Sequence, residues 1–171
     1  MVSIKISVTQ PCAEVLHAYG ITPDTYCPAY GGESVGLDLY NVGPELTIPS
    51  LKKWQVLGED PVLVSTGVKI IVPKGYVAFI KERSSIIKTS LKIRAGVIDP
   101  GYTGEIFVNF VNVGEKDITV PLGVKLPAQL VVVKSESNYQ VINNLEFLDL
   151  TKDSERKEGS VGSTQDTGAG D

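Results

Sequence analysis

A chain of 171 residues suits one domain and is long enough to bury a core without metal or disulfide support. Its composition, 42% hydrophobic and 21% charged, is ordinary for a globular protein, and a net charge of −4 provides no basic footprint for direct nucleic-acid binding or an anionic membrane. No apolar run approaches the roughly 20 residues that span a bilayer, and the only soft metal ligands, Cys12, Cys27 and His17, lack zinc spacing.

In chain order, MVSIKISVTQ opens with Val2, Ile4, Ile6 and Val8 alternating with polar residues. That is strand patterning, not the apolar block of a signal peptide, and a cytoplasmic protein is expected. About one helical turn is expected at 12–18. In SVGLDLY (34–40) Asp38 stands between Leu37 and Leu39. It faces water at a sheet edge or a site, and Gly36 beside it permits close approach of a ligand. Residues 44–62, PELTIPSLKKWQVLGEDPV, form an elaborated loop with the only tryptophan. Trp54 packs under that loop or marks a surface for a protein partner. The apolar runs VKIIV, YVAFI and LVVVK are strand-length and punctuated by Pro-Gly or Lys-Gly.

ERSSIIK (82–88) opens a short helix. Arg83, Ser84 and Ser85 there gather a guanidinium, two hydroxyls and free N–H groups on one anion, or a serine simply caps the helix. In GVIDPGYTGE (96–105) Pro100-Gly101 suits the centre of a tight turn, leaving Asp99 and Tyr102 at its flanks. A carboxylate there can orient a water as general base, and a ring there can stack on a sugar or base; alternatively Asp99 caps its own turn. Val108 and Phe110 in IFVNFVNV alternate again. From Thr151 onward Val161 is the one core-forming residue, and glycines recur at 159, 162, 168 and 170. This segment reads as a disordered end or as a lid wrapping a phosphate. The expected architecture is all-β, a distorted jelly roll or barrel of short, mostly antiparallel strands with one short helix. The domain covers 1–150, followed by a flexible glycine-rich arm at 151–171.

Singly these segments decide little, but their order does. SVGLDLY, PKGYVAFIKERSSIIK, AGVIDPGYTGEIFVNFVN, GVKLPAQLVVV and RKEGSVGST resemble the five motifs of the trimeric deoxyuridine triphosphatase (dUTPase) family, from residue 34 to residue 164. The resemblance implies hydrolysis of dUTP to dUMP and pyrophosphate, keeping uracil out of DNA, by a homotrimer with active sites at subunit interfaces. It implies that Asp99 positions the attacking water and that Tyr102 lies under the deoxyribose. Backbone groups of Gly96, Val97 and Ile98 would read the uracil edge. Arg83, Ser84, Ser85 and Gln129 would hold the phosphates, and Asp38 would bind, through water, a magnesium ion (Mg2+) on the triphosphate. Arg156, Gly162, Ser163 and Thr164 would close over the γ-phosphate from a neighbouring subunit.

The chain departs from that pattern in places. Val161 replaces the usual phenylalanine, a loss of about 1–3 kcal/mol of base stacking. Pro127 lengthens the fourth motif by one residue, Glu82 precedes Arg83 where a small residue or proline is common, and the 44–62 loop is long. Two alternatives share the fold. A dCTP deaminase is similar in RSS and I-D-P-G plus an aromatic, but needs a glutamate ten residues after the aspartate, where this chain has Asn109. A non-catalytic regulator would act through a surface such as 44–62.

Overall fold

Val, Ile and Phe at every second position need a sheet with one dry face, and the described residues build four small ones. The computed structural model describes residues 4–20, 33–53, 62–135 and 140–153. Within them β1 (Lys5–Val8) pairs with β5 (Val68–Ile71), and β3 (Leu46–Ile48) pairs with β10 (Ile118–Val120). A four-stranded sheet runs β2 (Leu37–Tyr40), β11 (Lys125–Lys134), β6 (Tyr76–Glu82), β8 (Val97–Ile98). A three-stranded sheet runs β4 (Val62–Ser65), β9 (Phe107–Asn112), β7 (Leu91–Arg94). All of these pairings are antiparallel and most join strands distant in sequence, the wiring of a distorted jelly roll.

The four sheets share one core. Val68 of β5, Ile48 of β3, Leu39 of β2, Ala78 of β6 and Val64 of β4 all sit in it, with Val108 and Phe110 of β9 at 1% exposure or less. Two buried asparagines stitch the turns to this core. Asn41 donates to the carbonyls of Pro44, Val120 and Pro121 and accepts from Gly43 N–H. Asn112 donates to the carbonyls of Ile48 and Lys116 and accepts from Gly114 N–H and Ser90 Oγ. Buried amides without such partners would each cost about 1–3 kcal/mol.

Helix is sparse, as expected. α1 (Gln10–Ala18) extends the turn expected at 12–18, with proline in its first turn where a missing N–H is harmless. A 3₁₀ helix spans Ser84–Lys88, where a short helix was expected. α2 (Asn144–Thr151) was not foreseen; Asn143 caps it, its Oδ1 accepting from Glu146 N–H at 3.0 Å. The chain divides into two compact units, Met1–Glu136 and Ser137–Asp171, and α2 belongs to the second. Trp54 and the loop residues 55–61, together with the arm residues Arg156, Val161, Gly162, Ser163 and Thr164, lie outside the described residues, as does Cys27.

Candidate active site

The third motif folds as a turn that displays chemistry. Gly101 has φ +90°, the conformation required at the third position of a type II turn, with Pro100 before it. Tyr102 N–H closes the turn on the Asp99 carbonyl at 3.2 Å. Asp99 does not cap this turn: among the described residues its exposed carboxylate has no hydrogen-bond or ion-pair partner. The Tyr102 hydroxyl instead donates to the Glu105 carbonyl at 2.7 Å, folding the ring back along the loop. Gly104 makes room for it, since a Cβ there would stand 2.5 Å from that hydroxyl.

The approach to this turn is just as constrained. Ala95 and Gly96 both take positive φ, +59° and +108°. For alanine this is strain, of the kind that accumulates at functional sites. A side chain at Gly96 would press on Ile80, 3.1 Å from both its Cβ and its carbonyl oxygen. The Gly96 carbonyl accepts from Ile80 N–H at 2.8 Å, and β8 continues the pairing on β6 through Val97 and Ile98. The result is a hollow of about 300 Å³ whose walls include Gly96, Val97, Ile98, Asp99, Tyr102 and Glu105. It is large enough for a small ligand, and the uncommitted Asp99 carboxylate stands in its wall.

The other expected residues gather at the junction of β2, β11 and β6. Asp38 Oδ1 meets Arg83 Nε at 2.6 Å and Asp38 Oδ2 meets Lys125 Nζ at 3.0 Å. Lys125, which the sequence reading missed, also lies 5.4 Å over the Tyr40 ring. Its hydrogen bond to Asp38, aided by the Tyr40 hydroxyl and opposed by partial burial, holds the ammonium above its ordinary pKa. Between Lys125 and Gln129 the pairing of β11 with β2 shifts register. Pro127 sits in that bulge, where a residue lacking N–H does no harm. The bulge turns two carbonyls toward Arg83: its N–H donates to the Pro127 carbonyl at 3.0 Å and its Nη1 to the Leu126 carbonyl at 3.4 Å. Arg83 Nη1 also reaches Ser85 Oγ at 3.5 Å.

The helix-capping alternative fails here. Arg83 occupies the N-cap and no side chain caps it, so Ser84 stays exposed and Ser85 half-buried. Gln129 donates to the Glu82 carbonyl at 3.0 Å and packs so tightly on Gly36 that a Cβ there would overlap its amide. Gly36 thus makes room for Gln129. Among the described residues no hydrogen bond or ion pair of this cluster reaches the Asp99 hollow, and β6 serves both, through Ile80 and Glu82. Asn109, where a deaminase needs its glutamate, has a buried Oδ1 without a hydrogen-bond partner among the described residues.

A family model described as dUTPase matches residues 25–165. The chain belongs to the dUTPase family. Among dUTPase relatives, the deoxyuridine 5'-triphosphate nucleotidohydrolase of Clostridium kluyveri is 34% identical over 148 residues, covering 84% of this chain and 93% of its own. The solved EIAV dUTPase superposes with a TM-score of 0.59 at 28% identity, covering 83% of this chain and 97% of its own. The Staphylococcus bacteriophage 80alpha dUTPase shares the fold at a TM-score of 0.71 and 18% identity, over 96% of this chain and 99% of that one. The segment that resembles the family's third motif supplies most of the lining of the hollow.

Proposed function

We propose that this chain hydrolyses dUTP to dUMP and pyrophosphate by in-line attack of water on the α-phosphorus. The observation that carries this is the hollow, where the uncommitted Asp99 carboxylate and the tethered Tyr102 ring meet the Gly96–Ile98 backbone. Asp99 orients a water and accepts its proton. Tyr102 lies under the deoxyribose and leaves no room for a 2′-hydroxyl. The backbone of Gly96, Val97 and Ile98 reads uracil and rejects cytosine, whose exocyclic amine would leave buried groups unpaired. Arg83, Ser84, Ser85 and Gln129 hold the phosphates. Arg156, Gly162, Ser163 and Thr164 complete that cover from the arm of a neighbouring subunit. In a homotrimer each of the two clusters completes a site across an interface.

The donor set fits magnesium and no tighter cage. Asp38 is a lone carboxylate already facing two cations, and among the described residues no three acidic, histidine or cysteine side chains converge. Magnesium keeps several waters and leans on substrate phosphates, so one carboxylate holding it through water is sufficient. When bound it supplies charge neutralisation on the triphosphate. Asp38 meanwhile holds Arg83 in place. No described helix is long and apolar enough to cross a membrane. By the family reading we place the enzyme in the cytoplasm, with the exposed residues of the 44–62 segment, Glu45, Thr47 and Lys52 among them, as the surface for a protein partner.

The deaminase alternative lacks its proton shuttle, since the Asn109 amide does no acid–base work at neutral pH. The test is pyrophosphate release from dUTP, UTP, dTTP and dCTP with magnesium. Release from dUTP well above the other three is expected; equal release from dUTP and dCTP would overturn the assignment.

A further inference from the structure

The loop carrying Tyr102 is fastened from behind by a turn that none of the five motifs contains. Glu105 Oε1 accepts two hydrogen bonds from the end of β4 and the residues after it, from Ser65 Oγ at 2.5 Å and from Gly67 N–H at 2.9 Å. Its neighbour is held by the same turn: Thr66 Oγ1 donates to the Ile106 carbonyl at 2.6 Å, and Ile106 N–H donates to the Val68 carbonyl at 2.8 Å. The turn is itself anchored, with the Gly67 carbonyl accepting from Thr9 N–H at 2.9 Å. Thr66 is fully buried and Ile106 is 2% exposed, so this side of the loop is rigid.

The front of the loop is different. Tyr102 is 46% exposed, and its one side-chain hydrogen bond among the described residues is the 2.7 Å bond to the Glu105 carbonyl. A half-exposed ring has little packing to hold it, so its place over the hollow depends on where that carbonyl stands. A glutamate at this position is not required to fill the core. Its carboxylate instead ties the carbonyl carrying the ring to a buried turn on another strand.

We infer that Glu105 is a positioning residue for sugar selectivity: its carboxylate grips the Ser65–Gly67 turn and thereby fixes the carbonyl on which the Tyr102 hydroxyl hangs. This rests on the dUTP-hydrolysis reading above. Excluding a 2′-hydroxyl requires the ring within a few tenths of an ångström of contact, and a 1 Å displacement is enough to change rates greatly. Loosening Glu105 therefore admits the ribonucleotide before it abolishes the reaction.

The experiment compares kcat/KM for dUTP and UTP, alongside thermal melting, in the parent, Glu105→Ala, Glu105→Gln, Ser65→Ala and Tyr102→Phe. Glu105→Ala should raise the UTP-to-dUTP ratio by about tenfold, the factor that one modest positioning interaction controls. Glu105→Gln, whose amide oxygen accepts the same two hydrogen bonds, should stay near the parent. Tyr102→Phe, which cuts the tether from the other side, should shift the ratio in the same direction as Glu105→Ala. If Glu105→Ala fails to fold, Ser65→Ala, which drops one of the two bonds, reads the same ratio. A parent that discriminates, with Glu105→Ala or Ser65→Ala melting lower at an unchanged ratio, would show a merely structural glutamate and overturn this proposal alone. A parent that does not prefer dUTP would overturn the reading beneath it, and the proposal with it.

Discussion

Asp38 shows how far one residue can be read from sequence. An aspartate between two leucines, with glycine two residues before, reads either as a residue facing water at a sheet edge or as part of a site, and the structure sets it between two cations, Arg83 and Lys125. Arg83 was visible because it stands in a motif with two serines. Lys125 was not, because a lysine at the start of an apolar strand looks the same whether it points to water or to an aspartate 87 residues away. Glu105 was missed similarly: its partners, Ser65 and Gly67, are distant in sequence. The raised pKa of Lys125 carries a prediction with a definite sign. A lysine whose folded pKa exceeds its unfolded value, about 10.4, contributes stability below that pH and loses it as pH rises through the folded value. Lys125→Met should therefore cost about 0.2–1 kcal/mol at neutral pH, the range of half-exposed ion pairs. It should also flatten the alkaline limb of a plot of melting temperature against pH. An alkaline limb as steep as the parent's would mean that Lys125 and Asp38 are not coupled.

The strands were legible because alternation is a local signal, and β9 shows it plainly, with Val108, Phe110 and Asn112 turned inward and Phe107, Asn109 and Val111 outward. What alternation does not report is pairing. Nothing in the sequence places β11 between β2 and β6, or predicts the bulge around Pro127 that delivers two carbonyls to Arg83. Helix α2 escaped because Leu145, Phe147, Leu148 and Leu150 are all exposed, so its apolar residues follow no single buried face. The Ala95–Gly96 link offers the sharpest test of an element. Gly96→Ala must adopt φ +108° and press on Ile80 at 3.1 Å. We expect a loss of about 1–3 kcal/mol in denaturant unfolding, together with a raised KM for dUTP because β8 would shift. Unchanged unfolding and kinetics would show that this backbone need not be held as it is.

Across the described residues, the core of the first unit draws on buried side chains between Leu16 and Leu130, and none of those beyond Leu130 is fully buried in it. Removing everything after Thr151 should accordingly leave the melting temperature within a few degrees of the parent's, as expected of a change below about 1 kcal/mol. Turnover of dUTP should nonetheless fall steeply once Arg156 and Gly162–Thr164 are gone. Full activity in the truncated protein would remove the arm from the site. The central claim is that Asp99, uncommitted at the edge of its hollow, is the base. Its direct test is a paired measurement on Asp99→Asn, single-turnover hydrolysis of dUTP beside binding of a non-hydrolysable dUTP analogue. Asparagine keeps the shape and loses the proton acceptor, so binding should stay within a few-fold of the parent while hydrolysis falls by about 10²–10⁴-fold. Hydrolysis at close to the parent rate, with binding intact, would contradict the assignment.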